Sequence, residues 1–154
     1  MATYAKETTV STDKSRIEIE RTLERYGATA FMYGWEGDRS LIGFQLDNKR
    51  YRLILPMPEK SDFRLTDTGR ARTRDSINNV FEQAQRQRWR AMALYIKAIL
   101  EAAETGIITV ENALQPYMLL PNGMTVGQWL SPQIDQIYLT SNMPPMLGAG
   151  SEGQ

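Results

Sequence analysis

Arg70, Arg72 and Arg74, followed by Arg86, Arg88, Arg90 and Lys97, are the side chains whose type and spacing could most readily do chemistry. Cations repeated at short intervals bind phosphates, and every phosphate they neutralise releases counterions, so such a row is the expected footprint of a polyanion. Trp89 lies inside the row and is read either as a core residue or as a ring on which a nucleobase could stack. Arg50 and Arg52 alternate with apolar residues and would add two cations from one face of a strand. Arg50, Arg52, Arg70, Arg72, Arg74, Arg86, Arg88, Trp89, Arg90 and Lys97 therefore form the candidate nucleic-acid-binding set.

Other chemistry is poorly provided for. The 154 residues include no cysteine and no histidine, so thiolates, disulfides and the commonest general base and metal ligand are missing. No glycine-rich phosphate loop follows a strand, and no nucleophile elbow occurs. Glu18, Glu20 and Glu24 read as surface helix positions paired with Arg21 and Arg25; Asp62, Asp67 and Asp75 are spread through a loop; Asp38 and Asp47 sit at hairpin tips. The expectation is a binding protein and not an enzyme, with no cofactor and no metal.

Charge is balanced overall, with 18 basic and 18 acidic side chains, yet it is segregated along the chain. Residues 64–97 hold 8 basic and 3 acidic side chains, a net +5, whereas residues 98–154 hold 0 and 5, a net −5. Such segregation suits either a polyanion surface or attraction between two halves within or between subunits. No apolar run reaches the roughly 20 residues that cross a bilayer, and Met1 to Val10 lacks a hydrophobic export segment, so a cytoplasmic protein without a membrane partner is expected.

The elements that must position these groups are punctuated by capping and turn residues. A helix from Lys14 to Tyr26 is expected after Ser11, Thr12 and Asp13, stopped by Gly27. Strands are expected at Thr29 to Trp35, Ser40 to Leu46 and Lys49 to Leu55, with turns at Glu36-Gly37-Asp38 and Asp47-Asn48. Alternation puts Phe31, Tyr33, Trp35, Ile42, Phe44, Leu46, Tyr51, Leu53 and Leu55 on the core face. Residues 59–74 read as a mobile basic loop, and a long helix from Asp75 to Thr105 precedes short helices around 110–116 and 125–138. The fold class is α+β: an N-terminal helix, a three-stranded antiparallel meander, a long helix packed on the sheet and a small helical appendix. Residues 13–142 form one domain between a flexible N-terminus, 1–12, and a flexible tail, 143–154.

On the long helix, Ile77, Phe81, Ala84, Met92, Tyr95, Ile96, Ile99 and Ala103 gather on one side, opposite Arg86, Arg90 and Lys97. Arg88 falls inside that apolar stripe and needs a partner, with Glu20, Glu24 and Glu101 as the candidate acids.

The stretches Gln85-Arg86-Gln87-Arg88-Trp89-Arg90 and Leu120-Pro121-Asn122-Gly123-Met124-Thr125-Val126-Gly127-Gln128-Trp129-Leu130 resemble a largely uncharacterised family of small proteins of tailed bacteriophages and prophages. A meander followed by a long helix is also similar in topology to phage single-strand annealing proteins. These resemblances imply a bacterial host cell and a non-catalytic single-stranded DNA-binding or annealing protein of recombination or replication, working as a homo-oligomer. The alternative is a phage interaction protein that inhibits a host defence protein or sequesters a nucleotide signal.

Overall fold

A computed structural model describes residues 5–143. Apart from Met143, the expected tail lies outside the described residues. Ser11 caps α1 (Thr12–Arg25) by accepting from the Lys14 backbone N–H at 3.2 Å. Gly27, with φ 99°, turns the chain out of the helix in a conformation that glycine adopts without strain. Of the expected flexible N-terminus, the described part is docked: Ala5 is buried, and Gln83 Nε2 donates to the carbonyls of Lys6 and Thr8 at 3.2 and 2.9 Å.

β1 (Ala30–Glu36), β2 (Arg39–Leu46) and β3 (Lys49–Pro56) form an antiparallel sheet in the order β1-β2-β3. Asp47 and Asn48 both have positive φ, 49° and 61°, which matches the tight hairpin turn that follows the twist of the strands. In β2 and β3 the expected core face is buried: Ile42, Phe44, Leu46, Tyr51, Leu53 and Leu55. β1 departs from the expectation. Phe31 is half-buried, while Tyr33 and Trp35 are exposed at 36% and 75%. The helices reach Tyr33, whose ring meets Trp89 edge-on with centroids 5.5 Å apart, and leave Trp35 beyond their cover.

The segment 59–74, expected to be mobile, is held by its own hydrogen bonds up to the start of the long helix. A 3-10 turn at Lys60–Phe63 leads into a small hairpin in which Leu65 bridges Ala71, Thr66 N donates to Arg70 O at 2.7 Å and Arg72 N donates to Arg64 O at 2.8 Å. Thr73 then caps α2 (Arg74–Glu104). The buried side of α2 is Trp89, Ala93, Ile96 and Leu100, packed with Ile19 and Leu23 of α1 and with the sheet. At about 100° per residue, this side is rotated by roughly 80° from the expected stripe. Tyr95, expected in the core, is consequently exposed at 40%.

α3 (Val110–Leu114) buries Leu114 and continues through a 3-10 turn at Gln115–Tyr117. Met118 then bridges Tyr51 along the outer side of β3, and Leu119 N donates to Arg50 O at 2.8 Å. A reciprocal cap between Thr125 and Gln128 opens α4 (Val126–Thr140), one helix with Pro132 inside it. α4 buries none of its side chains, and Tyr138 and Leu139 are 84% and 78% exposed. No described helix is long and apolar enough to cross a membrane.

Tyr95 ties α2 to the C-terminal part. Its hydroxyl lies 3.1 Å from that of Tyr117, and desolvation of the partly covered phenol first, then this hydrogen bond, push its pKa from 10.0 up to about 12. A raised acid pKa favours the protonated, folded form. The contribution is therefore complete below pH 10 and disappears as pH rises from about 10 to about 12. Urea unfolding is expected to show this decline in the native chain and a shallower one in Tyr95→Phe; equal declines would contradict it.

Candidate functional site

The structure divides the sequence-predicted cations into separate places. Arg50 and Arg52 point from β3 to the sheet face away from α1 and α2. Arg50 is exposed, and Arg52 Nη2 donates to Gln128 Oε1 at 3.0 Å. Arg70, Arg72 and Arg74 lie at the hairpin and the start of α2, where Arg72 Nε donates to the Leu65 carbonyl at 3.3 Å. Along an α-helix, Arg74 and Lys97 are about 35 Å apart. The ten candidates thus do not form one strip. The hairpin is also nearly balanced: residues 59–75 hold five basic and four acidic side chains, a net +1.

Arg88 is exposed, because it sits about 100° around the helix from the buried centre at Trp89. Its partner is the Pro56 carbonyl, which accepts from Nη1, and not one of the three expected acids. Trp89 itself is 4% exposed within the core cluster, so its ring is closed to a base.

Arg86, Arg90 and Lys97 do share one side of α2, as expected, but that side faces α1. Arg86 donates from Nε and Nη2 to Gln83 Oε1 at 3.1 and 2.6 Å, and Arg90 Nη1 is paired with Glu18 Oε2 of α1. Next to this seam an open groove of about 540 Å³ is lined by Lys14, Ile17, Glu18, Arg21, Thr22, Arg25 and Lys97. Four cations line it, and its single carboxylate is already engaged with Arg90. Among the described residues, Lys14, Arg21, Arg25 and Lys97 take part in no salt bridge. Of Glu18, Glu20 and Glu24, expected to pair with Arg21 and Arg25, Glu18 pairs with Arg90 instead, and Glu20 and Glu24 form no salt bridge among the described residues.

No family model, curated protein or solved structure matches this chain. The chemistry of the groove rests on its own side chains.

Sequence reasoning missed three of the four groove cations. Lys14, Arg21 and Arg25 are spaced by 7 and 4 residues, which places them on one helical face within about 40° of each other. Their ammonium and guanidinium groups can bind phosphate or carboxylate oxygens, and Ile17, 42% exposed, supplies the apolar element. Beyond Lys97 the surface turns acidic. Glu104 accepts from the Tyr26 hydroxyl at 2.8 Å and raises the pKa of that phenol, which limits the cationic run at the end of α1. Among the described residues no three carboxylates lie close enough to share a metal ion.

Proposed function

We propose that this chain is a non-catalytic binding protein for an extended polyanion, single-stranded DNA in the reading taken from its sequence, held along the α1–α2 groove. The observation that carries it is the alignment of Lys14, Arg21, Arg25 and Lys97 around one groove whose only acid is paired elsewhere. An uncompensated set of four cations attracts phosphates at long range and releases counterions on contact. Phosphate contacts position a strand without reading its sequence, and with Trp89 inside the core no large aromatic platform lines the groove. Binding is therefore expected to be backbone-directed and indifferent to sequence.

Titration of a labelled single-stranded oligonucleotide at increasing salt tests this. Four phosphate contacts predict a slope of about −3 for log affinity against log salt, at about 0.7 per contact on single strands. Absence of binding in dilute buffer would remove the proposal. The second reading, an interaction protein acting on a host protein, is favoured by α4, which buries none of its side chains. It predicts no salt-dependent oligonucleotide binding and impaired activity in Tyr138 or Leu139 variants.

A further inference from the structure

The two outer edges of the sheet are treated differently. The outer side of β3 is occupied by its own chain, through the Tyr51–Met118 bridge and the Leu119 N–H on the Arg50 carbonyl. Among the described residues β1 is paired only with β2, and most of its own residues are exposed. Edge strands are ordinarily protected by proline, lysine, inward charges or a bulge, since an open row of N–H and C=O groups recruits another strand. From Ala30 to Trp35 the sequence Ala-Phe-Met-Tyr-Gly-Trp contains no proline and no charge.

The pattern of this strand is self-complementary. The two-residue turn at Gly37-Asp38 makes Glu36 and Arg39 a hydrogen-bonded pair, so alternation makes Gly34–Leu41 and Met32–Gly43 bonded pairs as well. The main-chain groups of Phe31, Tyr33 and Trp35 consequently face the free edge. A second β1 laid antiparallel about a twofold axis through Tyr33 sets Tyr33 against Tyr33, and Phe31 against Trp35 twice. Every one of these is a position with outward N–H and C=O groups, so backbone and side chains select the same register.

The cross-strand pairs are aromatic on one face, and on the other Met32 meets the side-chain-free Gly34, which leaves room for it. Glu36, the one charged residue of the strand, falls opposite Ala30 and not opposite its own copy. A parallel arrangement would stack Glu36 on Glu36. The twofold pairing also covers Trp35, the aromatic of the sheet that its own helices leave 75% exposed.

We infer that the β1 edge is a homodimer surface, where two copies of this chain join into one continuous six-stranded sheet. The inference is independent of the anion groove, because it concerns the edge of the sheet and is measured without nucleic acid. Sedimentation at about 100 μM should give a particle of twice the 17.6 kDa chain mass. Amide hydrogen exchange at that concentration should show Phe31, Tyr33 and Trp35 protected, and this protection should fall on dilution while that of Met32 and Gly34, bonded to β2, persists.

Trp35→Lys places a charge on the edge without touching the core. It should weaken the dimer by at least about tenfold, with unchanged circular dichroism. A monomer at the highest concentration overturns the inference. So does a dimer in which the three outward amides exchange freely, or one that Trp35→Lys leaves intact; either result would move the interface to α4.

Discussion

Trp89→Ala should lower stability by about 3–5 kcal/mol, the cost of deleting a large buried aromatic. Trp89 is 4% exposed and contributes to the same cluster as Ile19, Leu23, Ile42, Leu53, Ile96 and Leu100, so its removal opens a cavity where α1, α2 and the sheet meet. It also removes the edge-on contact with Tyr33, a ring that Arg16 covers from 4.4 Å. That contact is one of the ties between β1 and the helices. Thermal unfolding should shift downward by roughly 6–20 °C for a domain of this size. Oligonucleotide affinity per folded molecule should be unchanged. A variant of native stability that has lost affinity would return Trp89 to the binding site.

Of the two readings of Trp89, core residue or stacking ring, the buried one holds, and what reading the sequence missed is the phase of the helix that carries it. Element order was legible because Ser11, Gly27 and Asp47-Asn48 punctuate the chain chemically, and each is a cap or a turn in the fold, whereas the caps at Thr73 and Thr125 emerge only in the structure. The phase of α2 was not. Its 31 residues serve two environments: Phe81, near the start, sits beneath the Lys60 ammonium at 5.5 Å, whereas Trp89 to Leu100 pack on α1 and the sheet. A single apolar stripe fitted to the whole helix follows the direction of Phe81, about 80° around the helix from Trp89, and that phase points Tyr95 inward and Trp89 to the flank. Once the phase is displaced, the arginines on the helix are misassigned with it. Arg90 turns from a solvent-facing cation into the partner of Glu18, and Arg88 turns from a buried charge into an exposed one.

The same reasoning explains why the cations of α1 were overlooked. Read from the sequence, Glu18, Glu20 and Glu24 are surface helix positions paired with Arg21 and Arg25, which treats those two cations as neutralised. On a helix, however, consecutive residues diverge by about 100°, and only those three or four apart face each other. Arg21 and Arg25 therefore share a face with Lys14 and Glu18, and the one acid on that face is drawn away by Arg90 across the seam. An ion pair between helices thus leaves the groove cationic. That long-range pairing could not be read from α1 alone, because its partner lies 72 residues away.

Reversing Arg21 and Arg25 together should have the largest effect on binding. Arg21→Glu with Arg25→Glu removes two of the four groove cations and places two anions beside Lys14 and Lys97. The salt slope should fall by about 1.4, at about 0.7 for each lost phosphate contact, and affinity at about 0.1 M salt by at least a hundredfold. Stability should change little, since both side chains are exposed on α1 and neither takes part in a salt bridge found among the described residues.

Arg70→Glu with Arg74→Glu makes the same formal change of charge in the hairpin, where five basic groups are already offset by four acids. This second variant should bind within about threefold of the native chain, because a nearly neutral patch some 35 Å along α2 from Lys97, and more than a Debye length of about 10 Å from the rest of the groove, contributes little. The contrast separates a located groove from a general attraction to net charge. If the hairpin pair costs as much as the groove pair, the polyanion is held by overall charge, and the alignment along α1 is not its site.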